Sequence, residues 1–260
     1  MPVIGALGTI VLDRIHPPPR EAAGEPRKDD GPLEDWGGLT YALEALEVAC
    51  EEGWSFLPLA KVGEDVFEAA SRRVASLTGV SGLEGLRRVP EPNNRVELRY
   101  HDAGDRCERL EGGVPGWSWE ELAPLAARCD ALYLNFIAGW ELDLDAARAL
   151  RRHFEGPIYC DVHSLLLGVD TSGVRVRRAL PDPDDWIACF DWIQGNEPEI
   201  ALLTERGDPL EGVRALVGKG ARAAFCTLGV KGAAWATPDG AGRAAAPAAP
   251  SAAGSRPDPT

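Results

Sequence analysis

Trp192-Ile193-Gln194-Gly195-Asn196-Glu197-Pro198-Glu199-Ile200-Ala201-Leu202-Leu203-Thr204 changes period in mid-course. Residues 192–194 predict a short strand. Asn196 followed three residues later by Glu199 is close to a capping box, and Pro198 suits a first helical turn. A helix over 198–204 follows. The pattern recurs on both sides. Apolar runs at 131–136, 157–161 and 222–227 predict strands, and helical spacing near 146–153 and 210–217 predicts helices between them. Buried strands alternating with helices imply a parallel sheet covered on both faces.

Upstream, Val3-Ile4-Gly5-Ala6-Leu7 predicts a first buried strand. Gly37-Gly38 opens a helix with apolar positions Tyr41, Leu43, Leu46 and Val48. A short strand at 56–60 and a helix through Val66, Phe67, Ala70 and Val74 follow. Residues 95–100 alternate polar with apolar, turn at Asp102-Ala103-Gly104-Asp105, and alternate again at 106–110. This hairpin with one wet face does not fit the parallel sheet, so a separate small β layer is expected. The stretch 17–32 is rich in Pro, Gly and charge and predicts a loop. Residues 241–260 hold eight Ala and four Pro and predict an extended tail.

The chain of 260 residues carries 27 Lys and Arg against 41 Asp and Glu, a net charge of −14. Such a chain has no electrostatic footprint for nucleic acid and is disfavoured at anionic membrane surfaces. No apolar run approaches the roughly 20 residues of a membrane span, and no signal-peptide pattern opens the sequence, so a cytoplasmic location is expected. The six cysteines show no metal-site spacing and predict reduced, buried side chains.

In an open parallel sheet, ligands bind beyond the carboxyl ends of the strands. Polar or glycine residues follow each predicted strand: Gly8 and then Asp13, Asn135, Asp161-Val162-His163-Ser164, Asn196 to Glu199, and Thr227 to Gly232. Each admits a structural role. Asp13 suits a turn or a cap, Asn196 with Glu199 a helix cap, and Thr227 to Gly232 a turn between strands. Their functional roles are a ligand contact, a carboxylate near a metal-bound phosphate, and a loop whose N–H groups meet an anion.

The order of these segments resembles the PfkB (ribokinase-like) family of carbohydrate kinases. Residues 4–8 through Asp13 look like the family's first strand and sugar-contacting aspartate. Gly37-Gly38 looks like its Gly-Gly signature, and residues 61–67 are similar to "vGxDxfG". Residues 196–203 follow "NxxExxxL", and Thr227-Leu228-Gly229-Val230-Lys231-Gly232-Ala233 matches "TLGxxGa". The resemblance implies a ribokinase-like α/β domain over 1–240: a central, mostly parallel sheet flanked by helices, with a small β lid from about 14–35 and 93–111. It implies transfer of a phosphoryl group from ATP, with Mg²⁺, to a hydroxyl of a small-molecule sugar or nucleoside. Asp13, Gly37 and Gly38 would hold the acceptor, with Asn94 and Arg95 reaching it from the lid. Asn196, Glu199, Thr227, Gly229 and Gly232 would line the nucleotide site, Glu199 acting on the metal through water. A homodimer through the lid would also follow.

Three departures qualify the resemblance. Ala42 stands where the family often has Asn, and Asp161-Val162-His163-Ser164 differs from the common Asp-x-Asn-x-Arg. The family's Gly-Ala/Cys-Gly-Asp motif, whose Asp is the general base, does not occur in 1–260. The chain therefore reads as a truncated member, with the base expected beyond Thr260. The alternative is an inactive sugar- or nucleotide-binding protein. A dinucleotide-binding oxidoreductase is disfavoured, because Gly5-Ala6-Leu7-Gly8 lacks the third glycine of GxGxxG.

Overall fold

The computed structural model describes residues 1–16, 32–50, 53–100 and 106–247. The first half contains β1 (Val3–Leu7), β2 (Ile10–His16), β3 (Leu33–Gly38), α1 (Leu39–Ala49), β4 (Ser55–Gly63), α2 (Phe67–Ala75), β5 (Leu86–Val89), β6 (Arg95–Tyr100) and β7 (Arg106–Glu111). The second half adds α3 (Trp119–Ala126), β8 (Ala131–Asn135), α4 (Leu144–His153), β9 (Ile158–Asp161), β10 (Leu167–Val169), β11 (Arg175–Arg177), α5 (Pro183–Ile187), β12 (Trp192–Asn196), α6 (Glu197–Thr204), α7 (Pro209–Gly218), β13 (Ala223–Thr227), β14 (Ala233–Thr237) and β15 (Gly240–Ala244).

The nine-stranded main sheet has the order β15-β14-β13-β12-β9-β8-β1-β4-β5. The β13–β14 and β14–β15 pairs are antiparallel, and every other pair is parallel. One face carries α3 to α7, whose apolar sides meet Leu7, Leu134, Cys160, Ile193, Ala224 and Ala234. The other face carries α1 and α2 over Ala6, Phe56, Ala60 and Val62. Those two helices stop short of β12 to β14. There Trp192 and Trp235 stay 38% and 36% exposed, beside the partly buried Phe225.

A second sheet, β3-β2-β6-β7, stands apart as the lid. The separate β layer predicted from the hairpin is therefore present, but it is larger than expected. Residues 10–16 form one of its two inner strands, where the sequence predicts none before the lid boundary at 14. Strand β2 pairs antiparallel with β3 and parallel with β6. Both partners lie far along the chain, so nothing near residue 10 signals the pairing. Residues 17–31, most of the predicted loop, lie outside the described residues. The predicted tail also begins too early: β15 carries the sheet through Ala244, held by its ladder to β14. The rest of the tail from residue 248 lies outside the described residues.

Candidate active site

The carboxyl ends of β8 and β9 lie side by side, with Asn135 opposite Asp161 in the register. The ends of β12 and β13 place Asn196 opposite Thr227. These two pairs divide the sheet rim into two halves. Over the first half, the lid encloses a cleft of about 510 Å³. Its lid side is Val11, Asp13, Ile15, Val96, Leu98 and Glu108, and its sheet side includes Tyr133, Asn135, Asp161, His163 and Ser164.

Asp13 is neither a turn nor a cap. It sits in mid-strand on β2, buried, with its side chain on the cleft face of the lid. Period-two alternation sends Val11, Asp13 and Ile15 the same way. Gly37, opposite Val11 on β3, makes the space: a Cβ there would lie 1.9 Å from Asp13 Oδ2. Gly38 has φ +62°, and a Cβ there would lie 2.4 Å from the Thr9 carbonyl oxygen. Glycine is needed to turn the chain from β3 into α1. Both glycines thus shape the cleft, Gly37 through Asp13 and Gly38 as one of its lining residues.

Asn94 and Arg95 do not reach the cleft. Asn94 is fully buried, and its Oδ1 accepts from the Val114 N–H at 3.2 Å. Arg95 points to the outer face of the lid and pairs with Asp65 at 2.9 Å. It neighbours Arg14, Glu34, Glu97, Arg109 and Glu111 in a groove there. The alternation that puts Val96 in the cleft puts Arg95 outside it.

Beneath the cleft runs a polar chain. His163 Nδ1 lies 2.7 Å from Glu199 Oε1, and this hydrogen bond raises the imidazole's affinity for its proton. Asp161 accepts from the His163 backbone N–H and from Gln194 Nε2, both at 3.1 Å. Burial pushes the Asp161 carboxyl up. Glu199 also closes a full capping box with Asn196 at the start of α6, as the Asn-x-x-Glu spacing predicts. The cap fixes Glu199 at the strand ends, beside His163.

Among the described residues, no three His, Cys, Asp or Glu side chains are grouped to hold a metal. Glu199 already takes hydrogen bonds from Asn196 and His163, which fits contact with Mg²⁺ through water and does not fit direct ligation. At the second half of the rim, Thr227 is exposed and Gly229, with φ +57°, has open space around it. Gly232 is required by the chain itself: a Cβ would lie 2.0 Å from the Ala244 carbonyl oxygen.

Two residues of the site carry no motif in the sequence. Glu141 is buried and accepts from Thr9 Oγ1 at 2.8 Å and from the N–H groups of Ile137, Ala138 and Gly139 at 2.8, 2.6 and 2.9 Å. Arg175 on β11 donates to the Ile137 and Ala138 carbonyls at 2.8 and 3.3 Å. Together they fix the loop after β8 that borders the cleft. The one local signal was an acidic residue just after Ile137-Ala138-Gly139, a run of N–H groups a carboxylate can collect.

No protein-family model matches the sequence, and no curated protein does. Solved structures do match. The ribokinase of Thermotoga maritima superposes with a TM-score of 0.68 at 17% identity, over 96% of this chain and 79% of that one. A pyrophosphate-dependent kinase in the ribokinase family, solved with a pyrophosphate analogue and myo-inositol, gives 0.72 at 17% identity over 93% and 78%. Arabidopsis thaliana ribokinase, solved with ribose and ATP, gives 0.64 at 19% identity over 94% and 77%. The chain has the ribokinase-like fold. In this fold the lid is the four-stranded sheet that carries Asp13, and the main sheet supplies both halves of the rim. No helix among the described residues is long and apolar enough to cross a membrane.

Proposed function

We propose that this ribokinase-like chain is a PfkB-type carbohydrate kinase, which transfers the γ-phosphoryl group of ATP to a hydroxyl of a sugar or nucleoside. The observation that carries this reading is Asp13, buried on the lid's inner face above the strand ends. A carboxylate there accepts hydrogen bonds from acceptor hydroxyls and orients the one to be phosphorylated, while the lid's aliphatic residues exclude water. The donor would lie at Asn196, Thr227 and Gly229, where Gly229 leaves backbone open to a phosphate. Mg²⁺, ordered through water by Glu199, would neutralise charge on the phosphates.

Positioning is one part of the rate. A general base and an anion hole supply the other main terms. Residues 1–260 contain no Gly-x-Gly-Asp segment. Residues 1–260 by themselves are therefore expected to bind acceptor and nucleotide with little or no turnover; the second reading is an inactive sugar- or nucleotide-binding protein. Purified residues 1–260 would be tested by calorimetry with ATP–Mg²⁺ and with sugars and nucleosides, and by transfer of labelled phosphate. Binding without transfer is expected. Ready transfer removes the inactive part of the proposal, and failure to bind any nucleotide or acceptor removes the kinase reading.

A further inference from the structure

Two side-chain oxygens in the cleft are buried and unmatched. Ser164 is 1% exposed, and its Oγ has no hydrogen-bond partner. Asn135 is 9% exposed, and its Oδ1 has no partner. Arg175, which also lines the cleft, has an unpartnered Nε. An unmatched buried polar atom costs about 1–3 kcal/mol, so three around one cleft call for a ligand that satisfies them. The set needs a donor for Asn135, an acceptor for Arg175 and either for Ser164. A hydroxyl group can play both roles.

Charge narrows the ligand. Asp13, Glu108 and Asp161 all line the same cleft. Arg175 spends its two terminal nitrogens on the Ile137 and Ala138 carbonyls. An acidic or phosphorylated acceptor would meet three carboxylates for one committed guanidinium and one imidazole. The lid side offers Val11, Ile15, Val96 and Leu98, branched aliphatic groups suited to the C–H face of a saturated ring. Tyr133 has one ring face stacked on Tyr159, at 5.3 Å between ring centres, and Tyr41 is the other tyrosine ring of the lining.

We infer that Asn135, Ser164 and Arg175 form a second acceptor subsite, opposite Asp13, which selects an uncharged polyhydroxylated ring over nucleosides and acidic sugars. The inference rests on the reading of the cleft as the acceptor site. The ring is held by hydroxyls at both ends, with its C–H face under the lid.

The test is calorimetric binding to the chain without donor. The probes are myo-inositol, D-glucose and D-ribose, against inosine, D-gluconate and glucose 6-phosphate. The neutral polyols are expected to bind best. Ser164→Ala should weaken the best of them about tenfold, a loss of about 1.4 kcal/mol. A merely structural Ser164 would show itself as a lower Tm. A binding role predicts an unchanged or higher Tm, because an unsatisfied hydroxyl is removed. Asn135→Leu, nearly isosteric, should weaken the same ligand. Tighter binding of inosine or of an anion, binding of none of the polyols, or unchanged affinity in Ser164→Ala overturns the inference. Polyol binding that depends on Ser164, with no binding of ATP–Mg²⁺, leaves it standing and removes only the kinase reading. Binding of ATP–Mg²⁺ together with tighter binding of inosine does the reverse.

Discussion

At position 37 a single methyl group separates a working cleft from a blocked one. The Cβ of Gly37→Ala would overlap Asp13 Oδ2, and the surrounding lid strands leave the carboxylate little room to retreat. Acceptor affinity is expected to fall about 10- to 100-fold in Gly37→Ala, because a misdirected carboxylate loses its hydrogen bonds to the ligand. The fold should survive, since alanine in a strand interior recovers up to about 1 kcal/mol of backbone entropy. Gly218→Ala is the control: a Cβ there meets nothing within 4 Å, and affinity should not change. Calorimetry on both variants checks this, and equal affinities would detach Gly37 from the site.

Among the elements, α3 shows how one helix end can be pH-sensitive. Its capping box joins Ser118 and Glu121, and Lys61 of β4 donates to both Glu121 oxygens at 2.9 and 2.8 Å. Lys61 is buried, also donates to the Gly116 carbonyl and lies 5.1 Å from the Trp117 ring centre. The hydrogen bond from Lys61, followed by that from the Ser118 N–H, holds the Glu121 carboxyl below the usual carboxylate range. A carboxyl whose folded value is lowered adds stability above its unfolded pKa, about 4.3, and loses it as pH falls through the folded value. Glu121 is half exposed, so water screens the pair and the contribution is about 1 kcal/mol. Urea melts of wild type and Glu121→Gln should differ by that amount at neutral pH. The gap should close on acidification below about pH 4. A gap unchanged down to pH 3 would show that the carboxylate is not its source.

For the molecule as a whole, the uneven helix cover of the main sheet is the salient property. Among the described residues, five helices pack on one face and two on the other, and the two leave Trp192 and Trp235 over a third exposed on β12 to β14. Exposed aromatic patches bind hydrophobic dyes and promote association. The double variant Trp192→Gln, Trp235→Gln should bind less of such a dye and associate less at high concentration. Its stability should change by no more than about 0.5 kcal/mol per site, as for other surface substitutions. A large fall in Tm would mean that both rings are core residues.

How much was legible depended on sequence distance. The capping box of Asn196 and Glu199 could be read directly, because its partners lie three residues apart and the helix period sets their geometry. So could the parallel strands from residue 131 onward, whose apolar runs are bounded by helices of regular period. The Gly-Gly pair was visible, but its reason was not: Gly37 makes room for Asp13, 24 positions away. Strand β2 was hidden because both its partners are remote, and β15 because Gly240-Ala241-Gly242 has no strand propensity of its own. Local periodicity, caps and the order of motifs thus determined six of the nine strands of the main sheet, most of its helices and the position of the rim. Only the tertiary structure decided which side chains share the cleft. It brought Asn135, Asp161 and Ser164 together from separate segments, turned Arg95 away, and buried Glu141 and Arg175 at the loop beside them. The physical reason is that alternation and capping are set by near neighbours. A binding cleft forms only where strand register and lid pairing bring distant residues to the same edge.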